Sequence, residues 1–317
     1  MKKLVLLIYY VFPTLFYAQV QQYTPKVNLA IETYAFLKGQ SFALQTVASQ
    51  FPELQSNVAA AEKSAAVLFG RAERNIEHFL KEELKNSEFQ KLQYTLNSLI
   101  NKQFKHPIEK QKHALDFLEK VKDRPHYISD TLLLKGIISF AYYDAPHQEI
   151  ADGHIEVFNS KNHPKAPKTT IKLYLPKSWL AEEAEMPETI QQFTSHYGKG
   201  NEKFLIVIYN LPEEENNFTL DKKSVLGMIS PETKVIRTEN VKIDGSPGMM
   251  IEVEETINSA HNKMKVRMLQ FMVVQKKKLY CLQGSIGPVE VSQNLDHKIK
   301  KYEPLFRTIA AKTQIDN

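Results

Sequence analysis

The apolar residues of this chain change their spacing near residue 154, and that change limits what the chain can fold into. From Val27 to about Ile150 they recur every three or four positions, the repeat of one helix face. After His154 they alternate, or run in short blocks bounded by turn residues, as strands do. The two periods are not interchangeable, because a helix and a strand send neighbouring side chains in different directions. A run of helices followed by a run of strands gives an α+β protein. The expected division is a helical domain over 19–150 and an α+β domain over 151–317. The 317 residues suffice for two ordinary domains, and 43% hydrophobic with 24% charged residues excludes a disordered or fibrous chain.

In the first half, Ala61, Ala65, Leu68, Ala72, Ile76, Phe79 and Leu80 form one stripe, with Ser56 or Asn57 as the expected N-cap. Glu62, Lys63, Arg71, Glu73, Arg74, Glu77 and Lys81 occupy the solvated side. A second helix is expected from Ser87, with Gln90 at capping-box spacing and a stripe of Phe89, Leu92, Leu96, Leu99 and Ile100. Pro107 suits the first turn of a third, carrying Ile108, Leu115, Leu118 and Val121. An earlier helix over 27–49 closes at Phe51-Pro52, since the residue before proline avoids helical geometry. Residues 130–143 are apolar on most sides and read as a buried helix, with a strand as the alternative. These helices predict an antiparallel bundle; the alternative use of a long amphipathic face is as a peptide-binding groove.

In the second half, residues 159–169 hold two prolines and three lysines and read as a connecting loop. Strands are expected over 170–175, 189–194, 204–209, 235–243, 249–255, 264–274 and 279–286. Turns at residues 244–248, 258–262 and 275–278 join the last four into a meander. Met249, Ile251 and Val253 point one way, while Met250, Glu252 and Glu254 point the other. In the next strand Met264, Val266 and Met268 give way to Leu269, Phe271 and Val273 in opposite phase. That means a β-bulge or a strand buried on both faces, and the bulge is the preferred reading. Helices are expected over 221–228 and 291–313, the latter laying Leu305, Phe306 and Ile309 on a sheet.

Residues 170–313 resemble PsbP-fold domains, which include the extrinsic photosystem protein, Ran-GTPase-binding proteins and exported bacterial proteins of the DcrB type. The likeness rests on an opening strand ending in Leu175-Pro176-Lys177-Ser178-Trp179, then 204–212, the turn at 244–248, a long hairpin, 279–284, and a closing Phe306 and Ile309. It implies a PsbP-like antiparallel sheet flanked by helices, and binding or assembly without a catalytic set. The whole chain, with FPEL near Phe51 and HPKAPK at His163, also resembles an uncharacterised family of exported bacterial proteins, a likeness that supplies no activity.

Lys2 and Lys3 precede an apolar run from Leu4 to Phe16, the pattern of a secretory signal peptide over 1–18, with the cut between Ala18 and Gln19. An uncleaved anchor is the rival, but this run falls short of the ~20 residues that cross a bilayer core. The expected product is exported, periplasmic or secreted, with no transmembrane segment after cleavage. Removing the leader lowers the net charge from +5 to +3, too small and too evenly spread for a nucleic-acid partner. The single Cys excludes an internal disulfide and a Cys-rich metal centre.

Candidate chemistry is sparse. His147, Glu149, Asp152 and His154 in PHQEIADGH would meet on one divalent ion if that loop curled; otherwise they are polar residues of the connection. Ser195 and His196 adjoin, but neighbours on a strand face opposite sides. Cys281, in an apolar strand, reads as a buried inert thiol. Tyr197–Asn201 reads as a hairpin turn, Glu213–Glu215 as a solvated turn rather than a calcium loop, and the lysines at 276–278 and at 298, 300 and 301 as solubilising clusters. The methionines at 228, 249, 250, 264, 268 and 272 suit a soft metal by residue type, but their strand spacing reads as core filling, three sharing one face beneath a helix. No catalytic, cofactor-binding or metal residue is assigned, and no cofactor is expected. The leading expectation is a non-catalytic binding or assembly module of the cell envelope, its partner a protein or an envelope component. The alternatives are a hydrolase or metal-dependent enzyme with a site between the domains, near His147–His154 and His163, and a small-ligand carrier with an apolar pocket beneath the sheet.

Overall fold

The computed structural model describes residues 23–126, 131–166, 169–184, 186–211, 219–258 and 263–316. The leader, its cut and the acidic triplet at 213–215 lie outside the described residues. The chain forms two compact units that divide between Tyr143 and Asp144.

The first unit is helical. Helix α1 (Pro25–Gln50) is capped by Thr24, whose Oγ1 accepts from Val27 N at 3.3 Å, and stops at Phe51 ahead of Pro52. A 3₁₀ turn (Pro52–Leu54) runs directly into α2 (Gln55–Ala65), so neither Ser56 nor Asn57 is the cap. The expected single helix beyond is broken by a π turn (Ala66–Gly70) before α3 (Arg71–Glu83). The wide turn buries Leu68 and Phe69 and leaves Val67 69% exposed, while Ala72, Ile76, Phe79 and Leu80 continue the buried stripe.

Helix α4 (Asn86–Gln103) begins one residue before Ser87. The Glu88 carboxylate, accepting from Lys85 N at 2.9 Å, does the work expected of the Ser87–Gln90 pair. Pro107 lies ahead of α5 (Gln111–Asp123) rather than in its first turn. There Ile108 N donates to Gln50 Oε1 at 2.9 Å, which pins the connection to the end of α1. Residues 132–141 are the helix α6 (Leu132–Ala141), and Leu134, Ile137, Ile138 and Phe140 are buried in the bundle core with Tyr34, Leu37, Ile76, Leu80 and Leu96.

The second unit begins with a short helix, α7 (His147–Ala151). Strands β1 (Ile155–Asn159), β2 (Thr170–Pro176) and β10 (Gln314–Asp316) make a three-stranded antiparallel sheet with β2 in the centre. The larger sheet runs in the order β3 (Leu180–Glu182), β4 (Thr189–Thr194), β5 (Glu202–Asn210), β9 (Lys278–Glu290), β8 (Lys263–Gln275), β7 (Ser246–Asn258), β6 (Lys234–Ile243), antiparallel throughout. Strands β1, β3 and β10 were not legible in the sequence; each has at most five residues, too few to show a period.

Helix α9 (Asp296–Lys312) covers one face of this sheet. Leu305, Phe306 and Ile309 pack with Phe204, Ile206, Leu269, Phe271 and Leu282, and with Ile171, Leu173 and Leu175 of β2. Gly284 makes the approach possible, since a Cβ there would stand 2.3 Å from Phe306 Cγ. A second cluster lies on the opposite face, where Met249, Ile251, Val253, Met268, Met272 and Cys281 pack with Val225 of helix α8 (Lys222–Met228).

Burial on both faces therefore explains the phase change in β8, and the preferred bulge is corrected in part. A register irregularity does occur at Val266, but the extra residues are Gly287 and Pro288 of β9, between Ile286 paired with Arg267 and Val289 paired with Lys265.

Candidate functional site

The densest buried polar cluster sits where β4 turns into β5. Ladder pairing ends at Thr194 and Lys203, and the chain between them must reverse in a few residues. It does so with His196 (φ 49°) and Tyr197 (φ 52°) in the left-handed region, followed by Gly198 (φ 81°). A non-glycine residue there costs about 1–2 kcal/mol, so two in succession need compensation.

Several contacts supply it. Tyr197 N donates to Ser178 O at 2.8 Å, Lys199 N to His196 O at 3.1 Å and Gly200 N to Ser195 O at 3.0 Å. Ser195 Oγ donates to Glu202 Oε2 at 2.5 Å. Gly200 cannot be replaced without disturbance, because its Cβ would lie 1.8 Å from Ser195 Oγ and 2.8 Å from Glu202 Oε2. Ser195, His196 and Glu202 are 2%, 3% and 4% exposed.

A second serine–carboxylate clamp adjoins the first. Glu149, on α7, accepts from Ser178 N on one oxygen and Ser178 Oγ on the other, both at 2.7 Å. Ser178 follows the end of β2, and its carbonyl is the acceptor for Tyr197 N. A continuous series of bonds thus ties α7, the β2–β3 turn and the β4–β5 turn together. Glu182 adds a third carboxylate nearby on β3, accepting from Thr194 Oγ1, and from Gln192 Nε2 at 3.2 Å.

The chemistry of this cluster is positional. A serine nucleophile needs a base on its hydroxyl and an open path for the substrate. Ser195 and Ser178 have carboxylates on their hydroxyls but lie 2% exposed, and their bonds hold backbone turns in place. The expectation that Ser195 and His196 face opposite sides of a strand is corrected: they belong to a left-handed turn, and the serine pairs with Glu202.

The other sequence candidates take separate roles. Glu149 of the PHQEIADGH segment is engaged by Ser178. His154 is half-buried, and burial lowers its pKa below the usual imidazole value, helped by Lys177 and opposed by Asp152. Among the described residues no three His, Cys, Asp or Glu side chains gather around a point that would hold a metal ion. Burial pushes the Cys281 thiol up to about 12, which keeps it protonated and unreactive at neutral pH. Lys276 and Lys277 form the tip of the β8–β9 hairpin, and Lys278 donates to Thr169 Oγ1. His163 Nδ1 accepts from Lys165 N at 3.3 Å, while Lys165 Nζ crowns three carbonyls, at 2.6 Å from Ala184, 3.1 Å from Met186 and 3.3 Å from Thr189.

Sequence reasoning missed an ionic network on the α9 side of the sheet. Glu252, 2% exposed, accepts from Arg237 Nε at 2.5 Å and Arg267 Nε at 2.7 Å. Arg267 also reaches Glu254 at 3.1 Å and Asp296 at 3.3 Å. From α9, Glu303 accepts from Arg237 at 2.6 Å, and Arg307 reaches Glu239 at 2.6 Å. Burial raises the Glu303 carboxyl, but hydrogen bonds from Arg237 and Arg307 outweigh it and hold the pKa below the ordinary value. The available signal was the pairing of charges two residues apart on successive strands: Arg237 with Glu239, Glu252 with Glu254, Lys265 with Arg267. Reading it requires the strand register, which places Arg237 opposite Glu252 and Glu254 opposite Arg267.

No protein-family model matches the sequence, and no curated protein matches it. Among solved structures, a protein of Bacteroides thetaiotaomicron is similar at 10% identity over 52% of this chain and 49% of its own, with a TM-score of 0.33. The match spans about half the length of that protein. LpqN, described as involved in cell envelope biogenesis of Mycobacterium tuberculosis, is similar at 15% identity over 55% of this chain and 98% of its own, with a TM-score of 0.31. Scores this low leave the PsbP likeness without support from these neighbours.

Proposed function

We propose that this chain is an exported protein of the cell envelope, a helical module joined to a PsbP-like sheet module, that binds or assembles with a partner and performs no chemistry of its own. One observation carries the reading: the hydroxyls and the thiol with catalytic potential are buried, the serines holding turns and Cys281 held protonated. The leader pattern at Lys2–Ala18 supports export. The order of strands and turns over 170–313 supports the PsbP likeness and, with it, a binding role.

The distribution of exposed apolar side chains supports a surface for the partner. Tyr209, Val235 and Ile257 are exposed on the sheet face that carries Val207, Val253 and Met268, and Leu226 and Met228 are exposed on the helix above it. The face opposite is sealed by α9. The alternative of a metal-dependent enzyme near His147–His154 is weakened by the engagement of Glu149 with Ser178.

The test is made in living cells with the full chain, leader included, carrying a photo-crosslinking residue at Leu226, Met228 or Ile257. The expected result is recovery outside the cytoplasm and one discrete adduct shared by the three positions but absent from a control at Lys63. Cytoplasmic retention, or no adduct from any of the three, overturns the reading.

A further inference from the structure

A solvent-open groove of about 520 Å³ lies in the second unit, where the β6–β7 turn meets the end of α9 and the start of β10. Its shape is set by local backbone. Asp244 (φ 48°) and Gly245 (φ 73°) form the tight turn, and Asp244 Oδ2 accepts from Ile315 N at 3.0 Å. That bond fixes the carboxylate, and among the described residues its other oxygen makes no hydrogen bond.

Three more residues that line the groove carry polar groups without a hydrogen-bond or ion-pair partner among the described residues. Lys312, in the last turn of α9, is exposed and makes no ion pair among the described residues. Gln314 is exposed, and among the described residues its side-chain amide makes no hydrogen bond. Tyr174 lines the groove from β2 with Lys172 Nζ over one face of its ring, 5.2 Å from the centroid, and among the described residues its hydroxyl makes no hydrogen bond. Thr313 is already committed, its Oγ1 donating to Ile309 O at 2.8 Å.

We propose that this groove binds a short carbohydrate. A carboxylate acceptor, an ammonium, a primary amide and a phenol match vicinal hydroxyls, which both donate and accept. The face of the Tyr174 ring away from Lys172 offers an apolar surface to the C–H face of a pyranose. The Asp244 carboxylate is set against the ammonium groups of Lys312 and, over the Tyr174 ring, Lys172, so the groove is mildly positive and a small anion is the competing ligand. A lining this polar gives little burial energy to an apolar ligand, and the volume falls in the range of small-molecule sites. The inference is independent of export and of any partner on the sheet face.

The experiment uses the mature full-length chain, isotopically labelled, titrated with chitobiose and separately with maltose while backbone amide resonances are followed. With at least one of the two sugars, saturable shifts confined to Tyr174, Gly245 and residues 312–314 are expected. Lys312→Ala and Gln314→Ala should each weaken binding roughly threefold to tenfold, the worth of one lost hydrogen bond. Both positions are exposed, so their melting temperatures should match that of the parent, and a folding defect is not confused with lost binding. Asp244→Asn keeps an acceptor for Ile315 N and should weaken sugar binding too. Titration with inorganic phosphate is the control. The proposal is overturned if neither sugar shifts these amides at high millimolar concentration. It is equally overturned if phosphate alone reproduces the shifts and Lys312→Ala abolishes them, which is ion contact only.

Discussion

The helical unit and the sheet unit bury their side chains in different ways. In the helical unit α3, α4 and α5 each bury one stripe, while α1 and α6 are buried on most sides. The core is mostly apolar, with Tyr34, Ile76, Leu80, Leu96 and Phe140, and Thr33, Gln40, Lys135 and Ser139 are buried beside it. In the sheet unit the central strands are covered on both faces, and one face carries Glu252 and Arg267 at 2% and 8% exposure. A helix with one buried stripe turns its polar side chains toward solvent. A central strand covered on both faces has no solvent side, so its polar residues must find partners inside. The lesson is that the ion pairs of Glu252 and Arg267 solve a topological problem, whereas those of the helical unit, such as Lys38 with Glu73 and Lys81 with Glu77, lie nearer to solvent.

The comparison breaks most easily at its centres. Phe140→Ala in the helical core should cost about 3–5 kcal/mol by cavity formation. Glu252→Ala in the sheet should cost less, about 1–3 kcal/mol, because Arg237 keeps Glu303 and the buried Arg267 keeps Glu254 and Asp296. The repair differs. Replacing Glu252 and Arg267 together by methionine should recover much of the loss, because both members of the buried pair are then gone. Urea denaturation of the single and double variants checks this. A double variant no more stable than Glu252→Ala would show that the network is more than compensation for burial.

Gly284→Ala should destabilise by about 1–3 kcal/mol, since the new methyl meets the Phe306 ring and forces α9 away from the sheet. Gly39 has open space around its Cβ position, and Gly39→Ala in the middle of α1 should be neutral or stabilising, by up to about 1 kcal/mol. Thermal melts of the two variants sharpen the contrast between a close sheet–helix contact and an uncrowded helix.

Acid should loosen the sheet unit in two steps. The folded pKa of His154 lies below 6.5, so the unfolded chain binds the proton more readily and stability falls as pH drops below 6.5. His154→Gln should remove that slope. The folded pKa of Glu303 lies below 4.5, so its contribution is complete above pH 4.5 and is lost as pH falls through the folded value. Denaturant midpoints measured against pH test both signs. The smallest effect concerns Cys281, which should resist a thiol reagent at neutral pH until the protein unfolds, since burial holds its pKa at about 12.

Much of the architecture was legible because it is written locally. The stripe from Ala61 to Leu80 places its helices, and the punctuation at Asp244-Gly245 and Lys276–Lys278 places two hairpins. The π turn at Ala66–Gly70 was not legible, because one extra residue per turn leaves the apolar composition unchanged. The site was less legible than the fold. Glu149 and Ser178 are 29 residues apart and Arg237 and Glu303 are 66 apart, so only the folded chain brings them together. The left-handed pair His196 and Tyr197 gave no signal, since neither residue type favours that conformation strongly enough to be read from sequence.

The central claim is that the buried serine–carboxylate pairs shape the fold and do not react. The most direct measurement is intact and peptide mass spectrometry of the native protein after incubation with a fluorophosphonate, which labels activated serines. The expected result is no adduct at Ser178 or Ser195, together with a loss of about 1–3 kcal/mol in stability for Ser195→Ala from the carboxylate left without its donor. A stoichiometric adduct at either serine would contradict the claim and make this chain a hydrolase.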